Sequence, residues 1–97
     1  MTSLDLIKDH IRTIKPHLLS KYGVDKLYIF GSYAREEQND KSDIDILVDF
    51  KKTPDLLTFI EMEEYLSRHL HGTVDLVPRR KLKAQIKDQI LKEAIAI

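Results

Sequence analysis

The segment Asp43 to Phe50, DIDILVDF, alternates polar and apolar side chains and is the clearest strand in the chain. A period of two puts Ile44, Ile46, Val48 and Phe50 on one face and Asp43, Asp45, Leu47 and Asp49 on the other. A strand with one apolar face needs neighbouring strands and a helical layer, and the surrounding sequence offers both. Lys26 to Phe30 (KLYIF) is a short aromatic and β-branched run halted by Gly31-Ser32, and Thr73 to Val77 (TVDLV) is another, stopped by Pro78.

Helical spacing accounts for most of the rest. Leu4, Ile7, Ile11, Ile14 and Leu18 recur every three or four residues, predicting a helix from near Ser3 to Tyr22-Gly23 that Pro16 should kink or split. Thr53-Pro54 supplies an N-cap and first-turn proline for a helix lined by Leu56, Phe59, Met62, Leu66 and Leu70 and ended by His71-Gly72. Leu82, Ile86 and Ile90 mark a last helix, and Tyr33 to Arg35 a short helical turn. The expected order is helix, strand, short helix, strand, helix, strand, helix. With no linker, repeat or low-complexity stretch, residues 1–97 read as a single α/β domain of about three strands flanked by helices.

Composition removes several function classes. A chain of 97 residues without cysteine has no disulfide, thiolate metal site or cysteine nucleophile, which accords with a reducing compartment such as the cytoplasm. The 16 basic and 16 acidic residues cancel, so no global field draws the protein onto nucleic acid. Acids crowd residues 36 to 64, whereas bases gather at Arg79, Arg80, Lys81, Lys83, Lys87 and Lys92. That basic face is solvated or meets an acidic partner surface. No apolar run is long enough to span a membrane, and the charged first twenty residues are unlike a secretory signal.

The chemistry concentrates where the first strand ends. A strand followed by Gly31-Ser32 and a helical turn presents free backbone N–H groups to an anion, and glycine allows close approach. Asp43 and Asp45, at i and i+2 on one strand, aim their carboxylates to one side. Two neighbouring acids repel unless a cation lies between them, and magnesium suits hard oxygen ligands shared with phosphate and water. The alternative is an ordinary turn beside solvated aspartates. Gly31 and Asp43 can share a site only if their strands run antiparallel. Asp75 joins them if Val74 and Leu76 face the core. Arg35 and Lys41 are candidates for further phosphate contact, or for helix-pairing and solvated roles. His69 and His71 read as a solvated helix terminus, because no third ligand is in register.

The stretch GSYAREEQNDKSDIDILVDF resembles the G-S-x10-D-x-D signature of the DNA-polymerase-β-like nucleotidyltransferase superfamily. Together with VDLVPRRKLKAQIKDQILKEAIAI, it is similar to the minimal nucleotidyltransferases often paired with HEPN-domain ribonuclease toxins. The resemblance implies a mixed sheet, two Mg²⁺ ions on Asp43 and Asp45, a triphosphate held by Gly31 and Ser32, and Asp75 as third carboxylate and metal ligand. One departure is visible: family members often have glycine after the arginine, where this chain has Glu36-Glu37 after Arg35.

The implied reaction is in-line attack of an acceptor hydroxyl on the α-phosphorus of ATP, with pyrophosphate leaving. Relatives acting on RNA ends, DNA ends or aminoglycosides generally carry a second domain for the acceptor, which the expected single domain lacks. The resemblance therefore points to a tyrosine of a HEPN toxin. A binding module that neutralises its partner stoichiometrically is the competing class, and a transferase acting on RNA or a small molecule is a third.

Overall fold

The computed structural model describes residues 3–39 and 41–97. Helix α1 (Leu4–Tyr22) starts at Ser3, whose hydroxyl accepts from the Leu6 N–H at 3.2 Å, and ends at Gly23 in the left-handed region, φ +69°. It runs through Pro16 as one helix, so of the kink or split expected there the split does not occur. Buried Ile7 and Ile11 precede the proline and Leu18 and Tyr22 follow it, so packing along one face offsets the lost backbone bond.

Strand β1 (Val24–Phe30) passes into the single turn α2 (Gly31–Ala34), and β2 (Ile44–Phe50) follows after a loop. Next come α3 (Leu56–Leu70), β3 (Val74–Pro78), a 3₁₀ turn at Arg79–Lys81, α4 (Ala84–Glu93) and β4 (Ile95–Ala96). The sheet order is β3-β2-β1-β4; β1 is antiparallel to both β2 and β4, and β2 is parallel to β3. The mixed α/β sheet thus matches the expectation, with four strands instead of about three. Two residues are too few to display alternation, which is why β4 left no trace in the sequence pattern.

The core joins Ile7, Ile11 and Leu18 of α1 and Met62, Leu66 and Leu70 of α3 to Leu27, Ile29, Ile46, Val48, Val74 and Leu76 of the sheet. Leu47, assigned to the acidic face, is inaccessible as well. It lies on an interior strand between Tyr28 and Val77, and such a strand can bury both faces.

Two helix boundaries differ from expectation. The cap of α3 is Asp55, not Thr53: its Oδ1 accepts from the Thr58 N–H at 2.8 Å, leaving Pro54 outside the helix. Leu56 then falls in the first turn and is 72% exposed instead of lining the core. Leu82 precedes α4 in extended backbone, and Ile86 is exposed, so the last helix is a surface helix with no buried residue. No helix among the described residues is long and apolar enough to cross a membrane.

Candidate active site

The antiparallel pairing of β1 with β2 brings the end of one strand beside the start of the other, as a shared site requires. Phe30 is the lateral partner of Asp45, and Asp45 is the lateral partner of Asp75 on parallel β3. Neighbouring positions across a sheet send their side chains to the same face. Val74 and Leu76 are buried while Asp75 is exposed, so the alternation predicted for β3 holds and Asp75 stands beside Asp45. Asp43 immediately precedes β2 and is exposed, whereas Asp45 is half-buried.

Burial raises the proton affinity of the Asp45 carboxyl above the ordinary range, and the like charges of Asp75, Asp43 and Glu93 act in the same direction. Arg35 opposes them without reversing the shift. The locality is therefore short of positive charge. Among the described residues no three His, Asp or Glu groups form a ready-made metal cage. An open set of oxygen donors nonetheless suits magnesium, which binds through one or two carboxylates and takes its other ligands from phosphate and water.

Gly31 serves a purpose the sequence did not disclose. Its φ is +72°, and a Cβ at this position would overlap the Asp45 carboxylate, lying 3.0 Å even from Cγ. Glycine here makes room for a candidate ligand as well as for an approaching anion. Ser32 follows in the same turn and its carbonyl accepts from the Glu37 N–H at 2.8 Å. Glu36, at the position where glycine was expected, has φ +56°. The left-handed conformation costs about 1 kcal/mol for a side chain that tolerates it poorly.

Arg35 is exposed and paired on both sides. Its Nε donates to Glu37 at 3.1 Å, and Nη1 donates to both carboxylate oxygens of Glu93, at 3.1 and 3.2 Å. Glu93 also accepts from the Gly31 N–H at 3.4 Å. Sequence reasoning missed Glu93: it lies 58 residues from Arg35 and sits in a segment whose evident feature is positive charge. A cleft of about 340 Å³ is lined by Asp43 together with Tyr33, Lys41, Ser42, His71 and Thr73. His71 is the left-handed cap of α3, φ +54°, so it borders this cleft as well as ending the helix.

A glycine turn beside a lateral row of aspartates is the arrangement that the family comparison explains. Residues 11–97 match the nucleotidyltransferase domain family. The chain belongs to that family. Across all of its length this nucleotidyltransferase is 42% identical to the protein adenylyltransferase MntA of Thermococcus cleftensis, covering 98% of that relative. A solved candidate minimal nucleotidyltransferase superimposes with TM-score 0.84 at 30% identity, over 99% of this chain and 97% of that one. A Shewanella oneidensis complex, described as a tri-AMPylated HEPN toxin with its MNT antitoxin, matches with TM-score 0.70 at 25% identity, over 96% of this chain and 70% of that one. The chain is thus a nucleotidyltransferase of the minimal kind, related to protein adenylyltransferases and to toxin-antitoxin components.

Proposed function

We propose that this nucleotidyltransferase transfers AMP from ATP to a hydroxyl, that of a tyrosine, on a partner HEPN ribonuclease toxin. The observation that carries the reading is the row formed by Asp45 and Asp75 across β2 and β3, with Asp43 alongside and the Gly31 turn against Asp45. The protein adenylyltransferase among its relatives and the AMPylated toxin of the structural neighbour support the donor and the acceptor class.

In this reaction the acceptor oxygen attacks the α-phosphorus, the bond to the β-phosphate oxygen breaks, and pyrophosphate departs. Asp43, Asp45 and Asp75 would hold two magnesium ions. When bound, these ions supply neutralisation of phosphate charge and activation of the acceptor oxygen. The Gly31 and Ser32 backbone and the Arg35 guanidinium orient the β- and γ-phosphates. Asp75, exposed on the edge strand β3, is open to an incoming protein and accepts the hydroxyl proton. Charge and bulk added near a ribonuclease's RNA site would hinder phosphate-backbone binding.

A second reading, neutralisation by covering the toxin, draws on the exposed Leu56, Leu57 and Ile60 along α3. Cells expressing toxin and antitoxin at matched levels separate the two. Asp43→Asn/Asp45→Asn should bind the toxin about as well as wild type and fail to rescue growth. Full rescue by this variant would favour occlusion.

A further inference from the structure

The phosphate turn already holds an anion, and that anion belongs to the chain itself. Glu93, the last residue of α4, reaches back to the Gly31 N–H and grips the Arg35 guanidinium through both carboxylate oxygens. These are the donors that a triphosphate would use. Two anions cannot share one backbone N–H and one guanidinium edge without strong repulsion, and the three aspartates nearby add to it. The Glu93 side chain is 25% exposed, so it can leave toward solvent without opening the core. None of α4 is buried, which makes local displacement of this helix inexpensive.

We propose that Glu93 is an internal competitor for the triphosphate cradle: it satisfies Gly31 and Arg35 in the nucleotide-free protein and is exchanged for the phosphates when ATP binds. The exchange rests on the reading of the Gly31 turn as a phosphate site and adds a residue and a step to it. In the free protein the carboxylate holds Arg35 over the turn and keeps other anions out. On binding, Arg35 passes from Glu93 to phosphate, and the end of α4, joined to β4 at the sheet edge, is released from the turn.

Calorimetric titration of the whole chain with Mg²⁺-ATP, inorganic pyrophosphate and adenosine tests the exchange. Glu93→Gln keeps the shape and removes the charge. It should bind ATP and pyrophosphate roughly three- to tenfold more tightly than wild type, as expected for losing a partly exposed ion pair from the free state, while adenosine binding is unchanged. A merely structural role for Glu93 would weaken all three ligands or none. Equal or weaker phosphate binding by a folded Glu93→Gln overturns the exchange alone. Absence of ATP and pyrophosphate binding by both proteins overturns the phosphate cradle as well. Should Glu93→Gln fail to fold, Glu93→Asp, whose arm is one methylene shorter, should also bind pyrophosphate more tightly, and an unchanged affinity would count equally against the exchange.

Discussion

Replacing Gly31 by alanine adds one methyl group and tests how tightly the turn and the carboxylate row are coupled. Two costs are separable. A side chain at φ +72° sits in the left-handed region, at about 1–2 kcal/mol. The new Cβ also runs into the Asp45 carboxylate, with Cγ at 3.0 Å, and Asp45 must leave its rotamer or the turn must shift, adding on the order of 1–2 kcal/mol. The sum, about 2–4 kcal/mol, is a large fraction of the stability of a small domain and should lower the melting temperature by roughly 10–25 °C. Urea unfolding of wild type, Gly31→Ala, Asp45→Ala and the double variant forms the appropriate cycle. With the carboxylate gone, Gly31→Ala should cost little beyond the backbone part, about 1–2 kcal/mol, since only the Cβ of residue 45 remains close, at 3.3 Å. Strict additivity would refute the claim that this glycine makes room for Asp45.

Because burial and neighbouring acids raise the Asp45 pKa in the native state, its ionisation destabilises the free protein as pH rises from the unfolded carboxylate range through the raised native value. Asp45→Asn should therefore be at least as stable as wild type in urea at pH 7, lose that advantage near pH 4, and lose the thermal shift produced by Mg²⁺-ATP. On α3, Leu66→Ala should cost about 2–5 kcal/mol by thermal unfolding, whereas Leu56→Ala should stay within about 0.5 kcal/mol; comparable losses would contradict the start of the helix at Asp55.

Much of the site could be read from the chain because it depends on local periodicity and one topological necessity. The alternation from Asp43 to Phe50 fixed the facing of Asp45, and a site shared with Gly31 demanded the antiparallel pairing that β1 and β2 adopt. Asp75 followed from burial of Val74 and Leu76. What escaped notice depends on distance or on competition between local signals. Glu93 meets Arg35 only after α4 and β4 have folded over the turn, and no periodicity encodes that return. Asp55 displaced Thr53 as the cap because the carboxylate meets the Thr58 N–H, and that shift carried Leu56 out of the core. Pro16 does not split α1, because a buried stripe runs on both of its sides.

The central claim is that the Gly31 turn and the Asp43, Asp45 and Asp75 carboxylates support nucleotidyl transfer to a protein. Its most direct measurement follows the fate of label from ATP carrying either α- or γ-labelled phosphate, incubated with magnesium, this chain and a HEPN toxin partner. The α label should appear on the toxin and the γ label in pyrophosphate, with Asp45→Asn giving neither. Gamma label on the toxin, or α label transferred equally by Asp45→Asn, would contradict the account.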